Sequence, residues 1–139
     1  MKYLTDYIQE KQTTLFKKYQ VFFAFSNEQF AKGKEENNIQ AGTRITHCGM
    51  GLYLPSEHAD AFIEEYEKLV DDGIAQDIAD NGIENIIVRE LSNHEAWYTG
   101  NIESTYDAIK DYGITKDDIL AVYKKEYSNN YDREQAVYF

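Results

Sequence analysis

The sequence predicts a helix-rich α+β domain, with five or six helices packed on a small, mainly antiparallel sheet. Three observations point to it. Long stretches carry apolar residues at helical spacing, whereas two shorter runs, VFFAF at 21–25 and RITHCGMGLYL at 44–54, are rich in β-branched and aromatic residues. No repeat, low-complexity run or Pro/Ser-rich linker divides the 139 residues, and the lone proline, Pro55, stands at an element boundary. One globular domain over residues 1–139 is the simplest organisation for this length.

Leu4, Tyr7, Ile8, Leu15 and Tyr19 recur at helical spacing, so residues 3–19 read as an amphipathic helix with Lys11, Lys17 and Lys18 around it. VFFAF is too short and too apolar for a surface helix and reads as a buried strand. Ser26 then caps a helix starting at Asn27. Gln29 reaches back to it, and Phe25 and Phe30 occupy the two positions of a hydrophobic staple. Capping therefore accounts for most of a polar cluster, Asn27-Glu28-Gln29, that otherwise resembles a site.

Residues 37–43 are turn-rich, and residues 44–54 read as two short strands or one broken strand, with Gly49 and Gly51 marking a turn or bulge. Pro55 ends that strand and Ser56 caps the next helix. Over residues 57–72, Ala59, Phe62, Ile63, Tyr66, Leu69 and Val70 form an apolar stripe. Gly73 is expected to break or bend the helix before a short segment at 74–80. Asn81-Gly82 supplies a turn, and a helix spans residues 83–98. After Gly100 a helix begins near Ser104 and ends at Gly113. Thr115 and Asp118 form a capping box for the last helix, with Ile114 stapled to Ile119. Residues 128–131 read as a loop, and residues 128–139 as a loosely attached tail or an edge strand.

A single cysteine, Cys48, excludes an internal disulfide and points to a reducing compartment. The first residues lack the apolar core of a signal peptide, and no segment approaches the roughly 18 apolar residues of a membrane span. The expectation is a soluble cytoplasmic protein that binds no membrane and needs no cofactor.

The net charge of −11 is uneven, because residues 57–88 hold ten acidic residues against one lysine. On the predicted helix Glu57, Asp60, Glu64, Glu65, Glu67, Asp71 and Asp72 face only Lys68. Ordinary solvated helices interleave lysines four residues from their acids. This imbalance points to a basic protein partner engaged through Glu57, Asp60, Glu64, Glu67 and Asp71. Carboxylates repeating along a helix imitate the charge of a nucleic acid, which carries about one charge per 1.7 Å. The bland alternative is a face that keeps the protein soluble.

Glu90 and His94 sit in the middle of the apolar face formed by Ile83, Ile86, Ile87 and Leu91. Four residues apart on a helix, they are neighbours. As a catalytic pair, with Asn93, Glu95 or His58 in support, they would border a solvent-reaching cleft. As a core pair they would satisfy each other. His47, His58 and His94 are metal-ligand types, but adjacent His47 and Cys48 point to opposite faces of a strand. Cys48 as a nucleophile would need one of these histidines as base. Its bland reading is a small core side chain.

Residues 108–125 have the helix-turn-helix outline, yet the first turn of the second helix carries Asp117 and Asp118, so direct nucleic-acid binding is not expected. Twelve tyrosines, seven of them from Tyr98 onward, suit an interface. Trp97 and Tyr98 are the expected anchors of a contact patch, and the tyrosine-rich final third offers a surface for homo-oligomerisation.

FFAFSNEQF, RELSNHEAWYTG and YGIT resemble motifs in a group of small uncharacterised proteins from phages and mobile elements of gut and related bacteria, over about residues 17–127. The resemblance carries no activity, cofactor or catalytic residue. It implies a context in which small acidic proteins bind host machinery, including restriction and CRISPR nucleases. The expected function is a small acidic cytosolic binding protein, a nucleic-acid mimic or inhibitor of a defence or DNA-handling protein. The alternative is a small enzyme or metal-binding protein using Glu90 and His94; a further alternative, in the context the resemblance implies, is a phage structural or assembly protein that oligomerises through the tyrosine-rich final third.

Overall fold

A computed structural model describes the backbone of residues 1–137 and the side chains of residues 1–129. The fold is helix-rich α+β, with seven α-helices and a three-stranded antiparallel sheet among the described residues. Contacts divide the chain into two compact units, residues 2–73 and residues from 74 onward.

In the first unit, helix α1 (Leu4–Lys18) buries Ile8 and Leu15, and the Asp6 carboxylate accepts the Tyr3 N–H at 2.8 Å. Strand β1 (Phe22–Phe23) leads into α2 (Asn27–Glu36); β2 (Ile45–His47) and β3 (Leu52–Pro55) form a hairpin, followed by a 3-10 turn (Ser56–His58) and the start of α3 (Ala59–Asn81). The sheet order is β1-β3-β2, with Phe22 opposite Tyr53 and Thr46 opposite Leu54. Leu54, on the central strand, is fully buried with Leu15, Val21 and Phe62. Phe22 faces α2, and Gly33 there permits the approach: a Cβ would fall 2.2 Å from the Phe22 ring.

Several expectations in this unit are corrected. VFFAF is not buried throughout: Val21, Phe22 and Ala24 are buried while Phe23 and Phe25 are exposed, so only from Phe22 onward do successive side chains alternate between the two faces. Ser26 does cap α2, accepting the Gln29 N–H at 3.2 Å, but the Gln29 carboxamide accepts from Phe25 N–H at 2.7 Å, one residue before the cap. The staple does not form, because Phe30 packs on Phe22 and Tyr53 and Phe25 lies against Gly51. Ser56 caps nothing; its hydroxyl shares a 2.7 Å hydrogen bond with Thr46 across the hairpin. Gly73 does not break α3, which runs unbroken to Asn81. Its missing side chain instead makes room for α1, since a Cβ would meet Ile8 Cγ2 at 2.5 Å.

In the second unit, the end of α3 is followed by α4 (Ile83–Asn93), α5 (Ala96–Thr99), α6 (Glu103–Ile109), a 3-10 turn (Lys110–Tyr112) and α7 (Lys116–Val137). The core joins Ile86, Ile87, Leu91, Ala96, Trp97, Ile109, Ile114 and Ile119. The helix expected over 83–98 is two helices, because Glu95 adopts a left-handed conformation (φ 56°) after the His94 cap. The Thr115–Asp118 capping box is formed in both directions, at 3.0 and 3.1 Å, and Ile114 and Ile119 are both buried. Helix α7 passes through 128–131, where a loop was expected, to Val137. The last two positions of the expected tail or edge strand lie outside the described residues. Among the described residues no helix is long and apolar enough to cross a membrane.

Candidate functional site

The acidic face of α3 is regular. Asp60, Glu64, Glu67 and Asp71 recur at spacings of four, three and four, which places them on one side of the helix. All four are exposed and none forms an ion pair with a described residue. Glu57 precedes them in the 3-10 turn, its carboxylate 3.7 Å from His58 Nε2. Glu65 belongs to another face and is committed: Lys18 Nζ contacts both its oxygens, at 2.9 and 3.2 Å. Hydrogen bonds from Tyr19 and then Lys18 hold the Glu65 carboxyl below its ordinary range. Beside the acidic row, Ile63 leaves 44% of its surface in solvent.

The polar pair of α4 is part of a buried network in the second unit. Arg89 reaches Asp77 of α3 with two parallel hydrogen bonds, Nη1 to Oδ1 at 2.8 Å and Nη2 to Oδ2 at 3.0 Å, while its Nε donates to Glu90 Oε1 at 2.9 Å. Tyr112 donates to Asp77 Oδ2 at 2.5 Å and Asn81 to Oδ1 at 2.8 Å. Burial pushes the Asp77 carboxyl up, but the bonds from Arg89, Tyr112 and Asn81 outweigh it and leave the group below its ordinary range. Burial pulls the Arg89 guanidinium down, and Asp77 and Glu90 more than reverse this. Both charges are thus fixed as ions.

Glu90 and His94 are brought together, as expected. His94 Nε2 lies 3.4 Å from Glu90 Oε2, but without hydrogen-bond alignment, so this ring atom is buried and unbonded. The principal partner of Glu90 is Arg89, with Asn93 at 3.5 Å and its backbone carbonyl accepting from Thr105 at 3.4 Å. Glu95 turns away at the left-handed break and is exposed. The sequence reading missed Asp77 and Arg89. The available signal was Arg89 itself, which stands one helical turn from Ile86 on the same face.

The remaining candidates disperse. His47 Nε2 accepts the Gly51 N–H at 3.2 Å and stacks on Tyr53, with centroids 4.5 Å apart. His58 packs its ring on Tyr19. Cys48 is exposed at the hairpin end, not a core side chain as its bland reading held. No group of three or more His, Cys, Asp or Glu side chains among the described residues could hold a metal ion. Trp97 is corrected outright as a contact anchor: it is fully buried, stacked on Tyr123 at 5.4 Å and bonded through Nε1 to Ser92 Oγ at 2.8 Å. Its size and its single donor suited the core. Tyr98 is exposed.

A family model matches residues 4–132, and the chain belongs to that family, a family of unknown function (DUF7659). No curated protein and no solved structure matches the chain.

Proposed function

We propose that this chain is a small acidic cytosolic binding protein that engages a basic protein surface through the exposed face of α3. The observation that carries this reading is the row Asp60, Glu64, Glu67 and Asp71, exposed and without ion pairs among the described residues. At 1.5 Å per residue the row extends about 16 Å, and Glu57 prolongs it. Carboxylates unneutralised by their own chain make a field that favours cations and repels phosphates. A partner groove built to hold a nucleic-acid backbone presents lysines and arginines at comparable intervals, so the row competes as a mimic. Exposed Ile63, beside the row on the same helix, is an apolar contact of the kind that interfaces bury. A phage or mobile-element origin, with a host defence or DNA-handling protein as the target, fits this chemistry.

The test is capture of partners from host lysate at two salt concentrations, with wild type and with Glu57, Asp60, Glu64 and Asp71 all changed to Lys. The reading expects a specific basic partner, weakened at high salt by screening and lost on charge reversal. Retention of the partner by the reversed variant would sink it.

A further inference from the structure

We infer that the cleft between the β1–α2 corner and the β2–β3 hairpin binds an uncharged planar heterocycle of nucleobase type. The cleft has a volume of about 530 Å³, and Phe25, Phe30, His47 and Tyr53 supply rings to its walls, with Ser26 and Asn27 beside them. Concave, ring-lined sites of this size suit small molecules.

Three of the rings are already occupied with one another. Tyr53 stacks on His47 and meets the edge of Phe30 at 5.1 Å. Phe25 makes no ring contact among the described residues and leaves 76% of its surface in solvent, with one edge seated on Gly51. It therefore offers a face for a flat ring. The hairpin end that completes the cleft is unusual. Gly49, Met50 and Gly51 all have positive φ (88°, 52° and 78°), and Met50, the non-glycine among them, is 91% exposed. Packing of its own side chain does not offset that strain. Hydrogen bonds hold the turn in place instead: Leu52 N–H to Gly49 O at 3.0 Å and Cys48 N–H to Leu52 O at 2.8 Å close it, and Gly51 N–H to His47 Nε2 at 3.2 Å and Ala24 N–H to Gly51 O at 2.9 Å anchor its end.

The ligand class follows from the polar groups. No lining residue is Asp, Glu, Lys or Arg, so a charged ligand would lose hydration with no counter-charge to replace it. An anion also meets the repulsion of a chain of net charge −11. The Asn27 carboxamide offers both donors and an acceptor, and the Tyr53 hydroxyl either role. Neither has a protein partner among the described hydrogen bonds. The ring that fits carries both donors and acceptors on its edge, as nucleobases do. The residues are not those of the acidic row, so this proposal stands or falls independently of the partner proposed above.

The test is titration of the 15N-labelled full chain with adenosine, guanosine, cytidine and uridine, each beside its 5′-monophosphate. The expected result is saturable binding of at least one nucleoside with shifts at Phe25, Asn27 and Gly51, and weaker binding of its monophosphate. Phe25→Ala, at an exposed position, keeps the fold and weakens binding roughly tenfold or more. Asn27→Ala lowers the preference for the best nucleoside over the other three. Absence of saturable nucleoside binding, binding unaffected by Phe25→Ala, or tighter binding of the monophosphate overturns the proposal.

Discussion

Arg89 and Asp77 face each other as a two-bond ion pair inside the second unit, with side chains 5% and 0% exposed. Twelve residues apart, they join the end of α3 to α4. Removing one partner strands the other charge where water does not reach it, at a cost of about 3–5 kcal/mol, whereas replacing both with apolar residues of similar volume removes the burden of desolvation. Asp77→Ala and Arg89→Ala are each expected to destabilise by that amount in urea titration. The double variant Asp77→Leu, Arg89→Met is expected to lose less than the sum of the two singles, because neither leaves the other's charge behind, while Glu90 still loses Arg89 and Tyr112 still loses Asp77. Singles that unfold at the wild-type midpoint would contradict the assignment.

Tyr112 gives the same network an alkaline limit. Burial, and then the Asp77 carboxylate, raises the phenol above its ordinary 10.0. A raised group contributes stability that is fully present below the unfolded-state value and is lost as pH rises through the folded one. Stability is therefore expected to decline above about pH 10, and Tyr112→Phe to reduce that slope. The same substitution deletes a hydrogen bond to a charged acceptor and is expected to cost about 1–2 kcal/mol at pH 7. Denaturant titrations at pH 7 and pH 10.5 give both quantities.

The acid limit has the opposite sign. Asp77 is held below its ordinary 3.8, so its contribution is present above that value and lost as pH falls through the depressed one. Thermal melts between pH 5 and pH 2 are expected to fall more steeply for the wild type than for Asp77→Asn, which has no charge to lose. Parallel curves would show that Asp77 does not link folding to protons.

Much of this fold is legible in local sequence, and the reasons are local. The Ser26 cap, the Thr115–Asp118 box and the glycine-marked hairpin rest on interactions within a few residues, and each is present in the structure. The acidic row is equally legible, because spacing alone places it on one face. The errors concern contacts between distant residues. Gly73 looks like a breaker until Ile8 is known to lie against it. Trp97 looks like an anchor until Tyr123 covers it. Asp77 sits in a stretch of scattered acids, and only the fold separates it from its exposed neighbours by bringing Arg89 and Tyr112 to it.

Close approach at two glycines makes a sharp steric prediction. Gly33 and Gly73 are both helical with ordinary φ, so alanine is conformationally acceptable there and even favoured by propensity. The clash decides the sign: a Cβ would lie 2.2 Å from the Phe22 ring and 2.5 Å from Ile8 Cγ2 respectively. Overpacking of this kind typically costs about 1–3 kcal/mol. Gly33→Ala and Gly73→Ala are expected to destabilise, and Gly73→Ala combined with Ile8→Ala, which removes the Cγ2 methyl in the way, to cost less than the sum of the two single substitutions. Stabilisation by either single substitution would mean that α1 or α2 moves aside freely.

The start of α7 supplies a control for these long-range effects, because its capping box involves no distant residue. Thr115 accepts from the Asp118 N–H at 3.1 Å and Asp118 accepts from the Thr115 N–H at 3.0 Å. That backbone bond, and then the Thr115 hydroxyl, hold the Asp118 carboxyl below its ordinary range. Thr115→Ala is expected to cost about 1 kcal/mol, and Thr115→Ser to keep most of the cap. Hydrogen exchange should show the loss mainly in the first turn of α7, with core amides at Ile86, Ile87 and Leu91 following only as global stability falls. Equal acceleration at every α7 amide, with no excess at its start, would show that the box is not what begins the helix.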